Sequence, residues 1–431
     1  MTKSFTRSVT VFTVALLMGM APAAAPAAEG GDQGVIEDVL GILRERGIVD
    51  DEQYAELVTR NASYEKEEES LFGRIEWFGD LRLRHESFWF DRNPDGSESP
   101  NRFRGRYRFR LGGKVPINEW ISANFRIASG EGSAVRSTNR SLGRDDDFGA
   151  DDLNIDRAFL ELRPFEDRLG DASLKLIGGK VPNPFTWKKG KDFLLWDGDI
   201  NPEGVGLKYR VAVNEDLSVF ANAGYMIIDE NSSSKDPHVF GAQIGAEGDL
   251  SRDVSLGGRV SWYNFRSLNS AFVTRGSMNG NVVGGLTDSD GQIKAGELYA
   301  YLGFSGIEDW PILLYGTYVE NFSARSTATV GKEDSAWGVG IEAGDKKRYA
   351  RLGVGYWEAE SNFWPSQFTD SDLFDGTTNR EGWMIYGARQ IARNTDLKFQ
   401  LFLSDDLEDG AGFLVDDADR IRLQTDLVVK F

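Results

Sequence analysis

From Ile75 onward the chain alternates polar and apolar residues in short runs separated by clusters of Gly, Asp and Asn. A period of two is the signature of half-buried strands, since successive side chains point to opposite faces. The pattern predicts sixteen strands, at 75–90, 102–112, 120–129, 154–163, 173–181, 204–213, 217–228, 237–249, 254–266, 294–305, 312–323, 335–344, 349–359, 381–391, 395–404 and 419–431. Short connections (214–216, 250–253, 345–348, 392–394) take turns with long ones (130–153, 182–203, 267–293, 360–380). That succession puts every short turn at one end of an antiparallel array. A Greek-key sandwich has no reason to do so; a closed up-and-down barrel does.

Ahead of the strands the period changes to 3.6. Val35, Ile36, Val39, Leu40 and Leu43 share a helical face, Gly47 ends that helix, and Asp50 or Asp51 caps a second carrying Tyr54 and Leu57. This hairpin is too small to be an independent domain; it reads as a periplasmic extension or as an oligomerisation or tethering device. Earlier still, Lys3 and Arg7 precede "VTVFTVALLMGM" and "APAAAPAAEGG", the layout of an export signal cleaved after Ala27. The apolar run falls short of the ~20 residues a membrane helix needs. The expected division is therefore 1–27 signal, 28–72 helical segment and 73–431 barrel.

The segment "NRFRGRYRFRLGGKV" decides which way the sheet faces. Arg102, Arg104, Arg106, Arg108 and Arg110 fill the even positions, while Phe103, Tyr107, Phe109 and Leu111 lie between them. An arginine against lipid near mid-membrane costs ~2–4 kcal/mol, so five on that face would cost on the order of a whole domain's stability. The arginines must point inward and the aromatics toward acyl chains or headgroups. "GDLRLRHESF" repeats the pattern with Arg82, Arg84 and Glu86 opposite Leu81, Leu83 and His85, and "ISANFRIAS" does so with Arg126. In "LSVFANAGYMI" the two faces are mixed.

Composition narrows the chemistry. Cysteine is absent and only His85 and His238 are histidines, which leaves no thiolate or histidine metal centre and no obvious nucleophile–base pair. His85 reads as an interface-level side chain. The net charge of −19 argues against a nucleic-acid partner. An outer-membrane barrel enzyme lacks its base, and residues 28–74 are too few for the plug of a gated transporter. A secreted β-protein that binds glycans remains the soluble alternative.

The last strand, "DRIRLQTDLVVKF", sets Ile421, Leu423, Thr425, Leu427, Val429 and Phe431 on one parity and ends on the aromatic. With "GILRERGIVDDEQYAEL", "GKVPNPF" and "LLWDGDINPEGVGLKY", these segments resemble the bacterial porins, most of all the putative porins of Gram-negative bacteria. The resemblance implies an all-β transmembrane barrel in the outer membrane, a homotrimer without cofactor, among lipid and lipopolysaccharide, with Phe431 read by the outer-membrane assembly machinery.

A barrel of this size leaves an aqueous channel, so the expected function is passive diffusion of small hydrophilic solutes or ions. A substrate-specific channel for anions, phosphate, sugars or organic acids is the alternative. The expected lining is Arg82, Arg84, Arg102, Arg104, Arg106, Arg108, Arg110 and Arg126. By resemblance to porins the loop 182–203 folds inward, so that Asp192, Asp197 and Asp199 would face these arginines. Pairing of the arginines with Glu86 and Glu161 as structural support is a compatible reading. The acidic outer stretches 143–152 and 405–410 leave the sign of selectivity open, and would also suit divalent cations beside lipopolysaccharide.

Overall fold

The computed structural model describes residues 33–68, 73–90, 101–132, 134–144, 148–165, 169–186, 189–277, 279–408 and 419–431. The expected export signal at 1–27, and parts of the acidic stretches 143–152 and 405–410, lie outside the described residues. The chain forms two compact units, Met1–Gly73 and Arg74–Phe431.

In the first unit, α1 (Gln33–Glu45) and α2 (Asp51–Glu68) form the expected helical hairpin. Gly47 takes φ +67° between them, a conformation that costs an L side chain strain. Asp50 is the cap: its Oδ1 accepts from the Gln53 N–H at 2.8 Å, and Gln53 Oε1 accepts from the Asp50 N–H at 3.2 Å. This reciprocal pair is a capping box with Asp as the first partner.

The second unit is a closed antiparallel barrel. Its strands are β1 (Glu76–Phe90), β2 (Arg102–Asn118), β3 (Ile121–Ala128), the two-residue β4 (Arg140–Ser141), β5 (Asn154–Leu162), β6 (Ala172–Lys180), β7 (Glu203–Ala212), β8 (Leu217–Ile227) and β9 (His238–Ser251). They continue as β10 (Val254–Arg266), β11 (Ile293–Phe304), β12 (Ile312–Asn321), β13 (Ser335–Ala343), β14 (Arg351–Ala359), β15 (Arg380–Ala392), β16 (Thr395–Asp406) and β17 (Arg420–Lys430). Leaving out β4, these are the sixteen expected strands. Each pairs with its sequence neighbours, and β1 pairs with β17 from Asp80↔Lys430 to Phe90↔Arg420, which closes the sheet. No described helix is long and apolar enough to cross a membrane.

Two departures from the sequence pattern have local causes. β2 runs on to Asn118, past the Gly112–Gly113 pair that reads as a break. Rings cover that pair: a Cβ on Gly112 would lie 2.6 Å from Phe78 Cζ, and one on Gly113 2.8 Å from Phe125 Cε1. The second departure is β4. β3 reaches only as far as the rung Ala128↔Arg110, which leaves the upper edge of β2 unpaired, and Arg140–Ser141 takes up the rungs at Tyr107 and Arg106.

The terminal residue has a structural task. Phe431 exchanges backbone hydrogen bonds with Gly79 at 2.8 and 3.1 Å. Its ring lies so close over Gly79 that a Cβ there would sit 2.5 Å from Cε2.

Outward positions form the apolar band, with Leu83, Val205, Ile244, Val260, Leu298 and Val339 all exposed. Aromatic side chains flank it: Trp77 and Phe431 toward the short turns, Trp262 and Trp383 toward the long loops. The mixed pattern of β8 also has a cause. Its inward Met226 is buried in apolar packing with loop side chains, and its inward Phe220 lies against Gly245 with Arg210 over its ring. Phe185, Trp196, Tyr263, Phe265, Trp364 and Phe368 form this packing, drawn from strands and inward-folded loops alike.

Candidate functional site

The arginines stand on the opposite wall, where β17, β1 and β2 lie side by side. Reading rungs from the long-loop end, Arg422, Phe88 and Arg102 align, then Gln424, Glu86 and Arg104, then Asp426, Arg84 and Arg106. Below them come Val428, Arg82 and Arg108, then Lys430, Asp80 and Arg110. All are on the inward parity, so a carboxylate is within reach of most guanidinium groups. Arg84 forks onto Asp426, Nε at 2.6 Å from Oδ1 and Nη2 at 2.9 Å from Oδ2. Asp80 accepts from both Arg108 (2.7 Å) and Arg110 (2.7 Å). Glu86, fully buried, accepts from Arg104 and from Arg422 (2.6 Å) and has Arg106 3.6 Å away. Arg126 bonds Asp156, and Arg82 bonds Asn139 with Asp426 at 4.0 Å.

Arg82, Arg84, Arg108 and Arg126 are all buried; strand carboxylates pair with them, and two long loops fold inward to add counter-charges at Arg84 and Arg108. Removing a guanidinium from water is costly unless it is paired and hydrogen-bonded, and strand and loop carboxylates share that task.

The first is L3 (181–202). Asp199 sits at the ribbon, 3.3 Å from Arg110 and 3.8 Å from Arg108, and also accepts from Thr138. Asp197 does not touch the ribbon; its Oδ2 accepts from the Ser371 N–H at 2.7 Å. Asp192 crosses to the other wall and pairs with Arg259 at 2.7 Å, beside Glu297. Of the three expected aspartates, one faces the arginines. Glu161 pairs with Arg163 at 2.7 Å, away from the ribbon.

The second is L7 (360–379), which the alternation of turns marked only as a long connection. Asp372 accepts from Arg84 (2.8 Å) and Gln424 (2.8 Å), and Asp375 from Arg422 (2.9 Å). A left-handed stretch, Phe374 at φ +53°, Asp375 at +57° and Gly376 at +75°, turns these carboxylates toward the wall. Such backbone costs ~1–3 kcal/mol per non-glycine residue and persists where its surroundings hold it. Here Arg136 of the 129–153 loop (L2) does so, donating to Ser366 O (2.8 Å) and Gly376 O (2.7 Å).

L3 and L7 are also joined to each other. The Asp197 N–H donates to Phe368 O at 2.8 Å, and the Asp370 N–H to Phe193 O at 3.2 Å. Burial, reinforced by neighbouring Asp199, pushes the Asp197 carboxyl up to about 7, and burial beside Asp197 and Asp372 raises Asp370 as well. Burial would raise Asp372 too, but Arg84 and Arg422 hold it well below the usual carboxylate range. The loop carboxylates thus divide into a charged set against the arginines and a protonatable set between the loops. Among the described residues no group is arranged to hold a metal.

If the wall depends on these pairs, removing one partner leaves a buried guanidinium short of charge. Asp426→Ala is expected to cost ~3 kcal/mol, the low end for breaking a buried pair because Asp372 still reaches Arg84. The urea midpoint for unfolding from lipid vesicles should fall accordingly; an unchanged midpoint would show that the pair is incidental.

A family model described as putative porin matches residues 91–290 and 297–431. No curated protein matches the chain. Among solved structures the chain is similar to OprB of Pseudomonas putida, at 10% identity and TM-score 0.53 over 84% of this chain and 96% of that one. It is also similar to OmpF of Salmonella typhi (12% identity, TM-score 0.48, 83% and 97% covered) and to the outer membrane channel DcaP of Acinetobacter baumannii (11%, 0.46, 83% and 97%). At these identities the likeness is one of fold. With the family model covering most of the chain, and a closed sixteen-strand barrel beneath it, the chain belongs to the putative porin family of outer-membrane channels.

Proposed function

We propose that the protein forms a water-filled channel through which small hydrophilic solutes diffuse passively, and that its arginine wall favours anions. The observation that carries this reading is the parity of β1, β2 and β3. Their arginines point into a closed barrel while Leu81, Leu83 and Phe103 lie exposed on its outside. No chemical step is required; width and lining charge sort the solutes. Salt bridges lower the net charge of the wall, and the positive potential that remains beside the path is what would favour anions. L7 and L3 together narrow that path, with Asp372, Asp375 and Asp199 opposite the arginines. The homotrimer, the lipopolysaccharide surroundings and recognition of Phe431 by the assembly machinery accompany this reading through the family.

Arg106→Gln with Arg110→Gln tests the sign. Glu86 would keep Arg104 and Arg422, and Asp80 would keep Arg108, so the wall retains its pairing. The reversal potential in a salt gradient across a planar bilayer should move toward cation preference. An unmoved potential would mean that these side chains do not set selectivity.

A pH dependence follows from the loops. Below pH 7 the Asp197 carboxyl is held protonated by burial beside Asp199; as pH rises through about 7 it gains a negative charge. Anion preference should therefore fall from mildly acidic to mildly alkaline solution, and Asp197→Asn should flatten the change. A wild-type reversal potential that stays constant across that range would contradict the assignment.

A further inference from the structure

Beyond the paired middle of the wall, at the long-loop end, the charge balance changes. Arg102, Arg104 and Arg106 of β2 and Arg420 and Arg422 of β17 border a cavity of about 370 Å³. Phe88 separates the two groups of arginines, with the guanidinium carbons of Arg104 and Arg422 each 5.1 Å from its ring centroid. Among the described residues three carboxylates stand close to these five cations. Glu86 serves Arg104, Arg422 and Arg106, and Asp375 lies 2.9 Å from Arg422 and 3.6 Å from Arg420. The third, Asp372, is committed to Arg84 and lies 3.3 Å from Arg422. The Nε–H groups of Arg106 and Arg422 are buried without an acceptor among the described residues. Buried donors of this kind call for one.

We infer that this cavity is a binding site for phosphoryl-bearing anions, multivalent solutes held on their way into the channel. The inference rests on the channel reading and names a solute class for it. Guanidinium groups converge from two strands on either side of β1, rather than as one planar fork. A tetrahedral oxyanion accepts hydrogen bonds from several directions at once, whereas a single carboxylate is met by one fork. Several guanidinium groups converging on one cavity suit an anion of more than one charge. The cavity side chains occupy inward parity, so a solute meets them and a lipid headgroup does not.

Inorganic pyrophosphate is the probe, with the full-length protein in synthetic phospholipid free of lipopolysaccharide. Titration calorimetry should show saturable binding, and the same concentrations should reduce single-channel current carried by chloride. Arg102→Gln with Arg420→Gln should weaken both effects by about tenfold or more. Arg102→Gln alone, at an exposed position, keeps the test open should the pair fail to fold. If anion preference in plain salt stands but pyrophosphate neither binds nor blocks, or the variants leave its affinity unchanged, the site is overturned and the channel reading survives. If plain salt shows cation preference while pyrophosphate still binds with the expected variant effect, the site stands and the selectivity reading fails.

Discussion

A guanidinium group does not stay in hydrocarbon without paying heavily in desolvation, and it does not stay buried in protein without a partner. Alternating arginines along β1 and β2 impose both conditions on the chain together. The first fixes which face of the sheet is inside, and so the whole barrel, because slipping any strand by one residue would turn its polar side chains into lipid. The second reaches into the loops. Asp372 and Asp375 of L7 and Asp199 of L3 satisfy guanidinium groups that the strand carboxylates Asp80, Glu86 and Asp426 leave short. The inward fold of both loops is thus tied to the same arginines that orient the sheet.

The interior is consequently divided. Polar and charged groups gather on the side formed by β17, β1, β2 and β3, while the facing side is filled with aromatic packing around Trp196, Tyr263 and Trp364. L3 belongs to both halves: Phe185, Leu194 and Leu195 pack with the aromatics, and Asp199 reaches the arginines. Asp192, held by Arg259, anchors its middle to the far wall. A loop fastened at both walls has little freedom to swing clear, so what changes with conditions is its charge, chiefly at Asp197.

Much of this was legible in the sequence, because a period of two survives wherever one face of a strand meets lipid and the other meets polar groups. All sixteen strands and the inward parity of the arginines follow from that alternation. It fails at β8, where Met226 faces apolar loop packing and Phe220 lies inward beside Gly245 and Arg210, so both faces look alike. The site was less legible, because loop paths depend on contacts between residues far apart in the chain. Asp199 was found through resemblance, whereas Asp192 turned to the other wall because an inward arginine, Arg259, waits there. L7 was missed as a partner, although "SQFTDSDLFDG" carries both signals of a buried loop: aromatic residues that a solvated loop would not need, and aspartates at 370, 372 and 375. Arg422 lies on the inward parity of the last strand, where the outward apolar series ending in Phe431 is the stronger pattern.

The account stands on one geometrical claim, that the arginine parity of the ribbon is shielded from acyl chains. A photoactivatable carbene carried on a lipid acyl chain, followed by peptide mass spectrometry of the unmodified protein, reads it directly. Insertion is expected at Leu81, Leu83, Phe103 and Phe109 and not at Arg82, Arg84, Arg104 or Arg108. Insertion at the arginines, or at both parities equally, would contradict it.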